Sequence, residues 1–253
     1  MKRFVTRVLV IFPFEEALYR NAGVPVEFVG HPLVDLAQPR QSRSAFRDGQ
    51  GLPANAPTVA LLPGSRPNEI ERIAPVIVDA LPLIRSSVPG VRFVVARAPG
   101  LPDALFAPFA GEAGLVTVEG RTDDVLAASD AVITASGTAT VQAALHERPM
   151  VVVYSLSPLT YRLGKPFLKV DTYAMPNLVA GRRIVPELIQ EGFTPARVAA
   201  ETVTLLTDAG RHAQMTGDLR GVRARLGSPG ASARAATAIL DVVARSHVGS
   251  TSA

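Results

Sequence analysis

The chain has no cysteine and no tryptophan, and only Lys2, Lys165 and Lys169 of its 26 basic residues are lysines. Without cysteine there is no disulfide, no thiolate nucleophile and no Cys-ligated zinc. Aromatic residues make up 6% of the 253 positions, so the core has to be aliphatic. Long apolar runs are also missing. Val8 to Phe14 is the nearest approach, closed by Arg7 and by Glu15 and Glu16, and it lacks a small-residue cleavage site; it is too short to span a bilayer. There is no Gly-x-Gly-x-x-Gly fingerprint, no Gly-x-x-x-x-Gly-Lys-[Ser/Thr] loop, no Gly-x-Ser-x-Gly elbow and no Asp-x-Asp pair. Dehydrogenase, P-loop ATPase and serine hydrolase therefore lose ground. His31, His146, His212 and His247 are too scattered to form a recognisable metal site, and His146 and His247 read as surface residues.

What is present is a globular chain with 47% hydrophobic and 19% charged residues, a balance that excludes disorder and a collagenous fibre. The net charge of +4 is dispersed rather than gathered in a stripe, so no nucleic-acid partner is expected. Short β-branched runs alternate with helical stretches, the pattern of parallel strands joined by crossover helices. Strands are expected at Val8–Phe12, Val26–Val29, Thr58–Leu62, Val91–Ala96, Leu115–Val118, Ala131–Thr134 and Met150–Tyr154. Helices are expected at Glu69–Ser86, kinked by Pro75 or Pro82, at Asp123–Ala128 and at Thr138–His146. Gln38 to Pro57 reads as a connector with one helical turn at Arg43–Arg47. The tail from Thr194 is helical, with Thr194, Thr216 or Asp218, and Ser228 or Ser232 as caps. Residues 249–253 read as a frayed end.

A doubly wound sheet binds ligands beyond the carboxyl ends of its strands, and two candidate turns lie there. Gly64, Ser65 and Arg66 follow the Thr58–Leu62 strand and open a helix. Glycine permits a tight turn, the helix N-terminus favours an anion, and Arg66 offers a bidentate cation. The same string is also an ordinary turn with Ser65 as cap. Ser136, Gly137, Thr138 and Ala139 repeat the arrangement after Ala131–Thr134, and the two together suit a diphosphate. Gln142 falls on the same helical face as Thr138, within reach of a sugar hydroxyl, unless it is simply solvated. Asn177, Glu187 and Gln190, in the segment Pro176 to Gln190, read by chemistry alone as turn and capping residues. Arg162, Lys165 and Lys169 share one side at helical spacing, as on an interfacial helix over anionic lipid. An ordinary surface helix kinked at Pro166 is the alternative.

These strings together resemble the lipid-A-disaccharide synthase family. The resemblance runs from Phe12-Pro13-Phe14-Glu15 and Phe28-Val29-Gly30-His31-Pro32-Leu33 through Leu61-Leu62-Pro63-Gly64-Ser65-Arg66 and Ala135-Ser136-Gly137-Thr138-Ala139-Thr140. It continues through Pro158-Leu159-Thr160-Tyr161 and Pro176-Asn177-Leu178 to Val185-Pro186-Glu187-Leu188-Ile189-Gln190. It implies an α/β GT-B-type transferase, inverting and metal-independent, with no cofactor and with a UDP-sugar donor. The implied substrates are UDP-2,3-diacylglucosamine and 2,3-diacylglucosamine 1-phosphate, at the cytoplasmic surface of the inner membrane. Arg66 would stabilise the leaving diphosphate, and Gly64, Ser65, the Ser136–Thr140 turn, Asn177 and Gln190 would line the donor crevice.

The expected organisation is a remnant of an acceptor domain at 1–35, with the boundary near Pro32–Asp35, and a Rossmann-like donor domain with helical tail at 36–248. Most of the acceptor domain, with its general base, is expected to be absent. Two residues depart from the family pattern, Gln142 where Glu is usual and Ser155 where Arg is frequent. Alternatives are a non-catalytic UDP-sugar-binding domain working with a separate acceptor chain or as a homodimer, and another GT-B enzyme such as a UDP-N-acetylglucosamine transferase or epimerase.

Overall fold

The computed structural model describes residues 4–155 and 172–250. The chain opens with a small parallel unit, in which β1 (Val8–Val10) and β2 (Val26–Phe28) pair across the helix α1 (Pro13–Asn21). The turn α2 (Leu33–Leu36) occupies the expected boundary. The supposed connector then forms α3 (Arg43–Gly49), capped by Ser42, whose hydroxyl accepts from the Ala45 amide at 3.2 Å. Arg47 anchors it from inside, with 2% of its surface exposed. Its guanidinium donates to the carbonyls of Pro53, Ala56 and Ala128 at 2.6, 2.6 and 3.1 Å.

The main domain follows as β3 (Thr58–Leu62), α4 (Pro67–Ser87), β4 (Arg92–Arg97), β5 (Leu115–Glu119), α5 (Thr122–Ala128), β6 (Ala131–Ala135), α6 (Thr138–Leu145) and β7 (Met150–Tyr154). After α7 (Met175–Ala180) comes the edge strand β8 (Glu187–Ile189), then the helices α8 (Pro195–Thr207), α9 (Ala209–Arg225) and α10 (Ala231–Ser250). Six parallel strands form the sheet in the order β5-β4-β3-β6-β7-β8. Every residue of β3 and β6 is buried, as covering a parallel sheet on both faces requires. The winding reverses between β3 and β6, which makes their carboxyl ends the switch point where such sheets take ligands.

Helix α4 runs on through both of its prolines. Pro75 and Pro82 stand on the solvent face, while Ile70, Ile73, Ile77, Leu81 and Ile84 are buried beneath them. Burial of these five contributes on the order of 10 kcal/mol, more than the ~6 kcal/mol that two interior prolines cost.

At the ends of elements one expected cap is found and others are corrected. Thr194 caps α8, accepting from Arg197. Asp208, not Thr216 or Asp218, caps α9, accepting from the Arg211 amide at 2.9 Å. Ser232, expected as a cap, lies inside α10, which is described as far as Ser250.

Helix α10 does not complete the core of the large sheet. Ala238, Ile239, Val242 and Val243 instead enclose an apolar space with Phe4, Val5 and Leu9 of the small unit. Two polypeptide segments therefore cross between the units side by side. Gly30 and Gly227 meet there with φ of +85° and +95°, and a β-carbon on Gly227 would stand 3.2 Å from the α-carbon of Gly30. The His31 amide bonds to the Leu226 carbonyl at 2.9 Å, Asp35 accepts the Gly230 amide at 2.9 Å, and Arg234 Nε donates to the Val29 carbonyl at 2.9 Å.

Candidate functional site

A cavity of about 300 Å³ opens at the carboxyl ends of β3, β4 and β6. Its walls bring together eight of the residues singled out from the sequence: Gly64, Ser65, Arg66, Ser136, Gly137, Thr138, Ala139 and Gln142. They come from two separate strand-to-helix turns, and the N-termini of α4 and α6 both belong to the lining. First-turn amides have no intrahelical acceptor, so both turns offer donors and positive potential to an anion.

The two glycines serve the turns differently. Gly137 has φ of 142° and ψ of −155°, a region essentially restricted to glycine, and a β-carbon there would meet nothing within 4 Å. Gly64 has φ of +129°, and a β-carbon would come within 2.9 Å of Glu69 Oε2. Glu69 thus folds back against the loop and also pairs with Arg66 at 3.0 Å. It is a member of the cavity wall that sequence reasoning missed, although its place three residues into α4 was visible. Arg66 has 79% of its side chain exposed, so it can turn from Glu69 to a ligand.

Asn177 and Gln190 are not in the cavity wall. Asn177 is fully buried, and its amide is consumed internally: Nδ2 donates to Val185 O at 3.0 Å and Glu187 Oε1 at 2.6 Å, while Oδ1 accepts the amides of Ile184 and Val185 at 2.7 and 3.0 Å. Its side chain thus lies behind the cavity wall among the described residues. Glu187, expected to cap or solvate a helix, is instead the hub of an edge strand. It accepts from the Thr172 hydroxyl and from the amides of Tyr173 and Ala174 at 2.8 and 3.2 Å. The Tyr173 carbonyl in turn receives the Ser136 hydroxyl at 3.4 Å. Asn177 and Glu187 therefore support the second turn from behind. Gln190, with φ of 51°, opens a single short helical turn, Gln190–Gly192.

Around Gln142 the structure supplies a partner that the sequence concealed. Asp123 Oδ1 lies 3.4 Å from Gln142 Nε2 and 3.0 Å from His146 Nε2. The His146 side chain is 8% exposed, so it is not a surface residue; it turns inward to this pair. Burial lowers the pKa of His31 from its ordinary 6.5, and the His31 Nδ1 accepts the Leu33 amide at 3.1 Å. It serves the crossing rather than the cavity.

Among the described residues no group of three or more His, Asp or Glu side chains is spaced to hold a metal ion. No helix among them is long and apolar enough to cross a membrane. Arg162, Lys165 and Lys169, with the rest of the basic stretch, lie outside the described residues.

Comparison with known proteins converges on one family. A family profile described as lipid-A-disaccharide synthetase matches residues 1–241. The lipid-A-disaccharide synthase of Geobacter metallireducens is 44% identical over 245 residues, covering 96% of this chain and 64% of that protein. The chain thus spans slightly less than two thirds of the length of this relative. Among solved structures, the UDP-GlcNAc 2-epimerase of Neisseria meningitidis bound to UDP-GlcNAc superposes with a TM-score of 0.63 at 11% identity, covering 95% of this chain and 62% of that one. A glycosyltransferase involved in lipopolysaccharide biosynthesis superposes with a TM-score of 0.55 at 14% identity, covering 85% and 57%. At these identities the likeness establishes the fold, a GT-B-type Rossmann-like α/β domain.

Proposed function

This chain belongs to the lipid-A-disaccharide synthetase family, and from that premise we propose that its cavity holds the UDP moiety of a UDP-sugar donor for glycosyl transfer. The observation that carries the reading is the meeting of two glycine turns and two helix N-termini at the switch point between β3 and β6. A diphosphate is the anion of matching extent, with Gly64 to Arg66 on one side and Gly137 to Ala139 on the other.

The reaction we assign is transfer of 2,3-diacylglucosamine from UDP-2,3-diacylglucosamine to 2,3-diacylglucosamine 1-phosphate. An acceptor hydroxyl oxygen forms a bond to the anomeric carbon from the face opposite the leaving group. The bond from that carbon to the β-phosphate oxygen breaks, and the hydroxyl proton passes to a base. Negative charge grows on the departing UDP, so fixed amides and Arg66 bind the transition state more strongly than the ground state. Among the described residues the carboxylate in the wall of this cavity is Glu69, and it already faces Arg66. The proton acceptor is therefore assigned to the acceptor side, outside this cavity. Acylated substrates place the reaction at a membrane surface, and Arg162, Lys165 and Lys169 are the residues we assign to contact with it.

Titration calorimetry with UDP tests the reading: saturable binding is expected, and no heat from a folded protein overturns the donor assignment. The second reading, a UDP-sugar-binding domain that does not itself catalyse transfer, draws on the same separation of the cavity from a base. Disaccharide formation by the purified chain alone would exclude it.

A further inference from the structure

Gln142 is one wall of the cavity, and what lies behind it determines which end of its amide a ligand meets. Its Nε2 is directed at Asp123 Oδ1, and one helical turn later His146 Nε2 reaches the same oxygen. Asp123 stands in the first turn of α5, beside an acid with a different task. Asp124 is 1% exposed and accepts the amides of Arg40 and Gln41 at 2.7 and 3.0 Å and the Arg121 guanidinium at 2.9 Å, tying α5 to the chain before α3. Asp123, by contrast, is turned to Gln142 of α6 and to His146 at the end of that helix.

A carboxylate accepts hydrogen bonds and cannot donate them. The Gln142 amide must therefore present its nitrogen to Asp123, and its carbonyl oxygen is the end left to the cavity. His146 must likewise present an N–H, which holds the Asp123 oxygen from a second direction. A terminal amide has two nearly isoenergetic orientations; this arrangement selects one of them.

We propose that Asp123, braced by His146, is a positioning residue that fixes Gln142 as a hydrogen-bond acceptor for a hydroxyl of the bound nucleotide, so that the site selects a ribonucleoside over a deoxyribonucleoside diphosphate. This rests on the donor-cavity reading above and adds to it a specificity device. It also explains Gln at 142: a glutamate would set a second carboxylate against Asp123, and like charges at that range repel.

The test uses the whole chain and two probes, UDP and its analogue lacking both ribose hydroxyls, dideoxyuridine diphosphate. The intact protein is expected to bind UDP about tenfold more tightly than the analogue, the loss of one or two well-made hydrogen bonds. Asp123→Ala should weaken UDP by about fivefold or more while leaving the analogue unchanged, because the analogue has no hydroxyl to be read. Equal losses for both probes would mean that Asp123 only supports the fold, and the proposal is overturned.

Gln142→Glu should also weaken UDP. Combining it with Asp123→Asn should restore binding, because the exchanged pair keeps one amide facing one carboxylate. That double variant also guards against simple unfolding of Asp123→Ala. Tight UDP binding by Gln142→Glu alone would refute the proposal without touching the cavity assignment. An intact protein that binds neither probe would refute the cavity assignment itself, and the proposal with it.

Discussion

Replacing Arg66 with alanine probes the diphosphate assignment most directly. A hydrogen bond to a charged group is worth about 1.5–3 kcal/mol. Before it can form, Arg66 must leave Glu69, its partner at 3.0 Å. With 79% of the Arg66 side chain exposed, that pair contributes about 0–1 kcal/mol. The net loss expected for Arg66→Ala is therefore about 0.5–3 kcal/mol, a roughly 2- to 160-fold rise in the Kd for UDP at low salt. Arg66→Lys keeps the charge without the planar fork and should fall between. Glu69→Gln releases Arg66 and removes a negative charge from the wall, so it should tighten binding. Because the contact is exposed, the gap between wild type and Arg66→Ala should narrow as salt shortens the screening length. Calorimetry across a salt series measures all three. Arg66 makes no side-chain cap to α4, so the melting temperature should hardly move. An Arg66→Ala protein that binds UDP as tightly as wild type at low salt would refute the reasoning.

Three further outcomes are expected. Burial lowers the pKa of His31 in the folded state, so the unfolded chain takes up the proton first as pH falls. Its contribution is fully present above 6.5, the unfolded value, and declines as pH drops from there towards the folded value; melting temperatures over that range should fall less steeply for His31→Gln. Arg47→Met keeps the apolar stem but leaves three carbonyls without their donor, a loss of about 3 kcal/mol or more by urea denaturation. Gly64→Ala and Gly137→Ala should both weaken UDP binding, but for different reasons. Truncating Glu69 should raise binding in both by freeing Arg66, and by more in the Gly64 variant, since only there does a neighbour occupy the space.

The parts of the fold that were legible are those whose signal is local. Thr58–Leu62 and Met150–Tyr154 are strands to the residue because a strand covered on both faces needs an unbroken apolar run. The two glycine turns were legible for a related reason, since a strand, a glycine and a helix start follow one another directly. The three-residue strand Glu187–Ile189 carries no such run; pairing with β7 is what extends it. Asn177 looked like a turn residue because its four hydrogen bonds come from positions brought round by the fold. Asp123 and His146 meet only because α5 packs on α6. The prolines of α4 disfavour a helix locally, but their exposure and the buried face beneath them let it run on. Asp208 stands directly before its helix, where a cap belongs, whereas Thr216 and Asp218 lie within it.

The paired crossing at Gly30 and Gly227 bears on how the two units can move. One covalent tether would leave a unit free to swivel, twist and tilt. Two tethers in backbone contact, pinned by the bonds from the His31 amide to Leu226 and from the Gly230 amide to Asp35, resist torsion between the units. Bulk at either glycine would wedge the two strands of the crossing apart and change how the units are joined before it disturbed the interior of either.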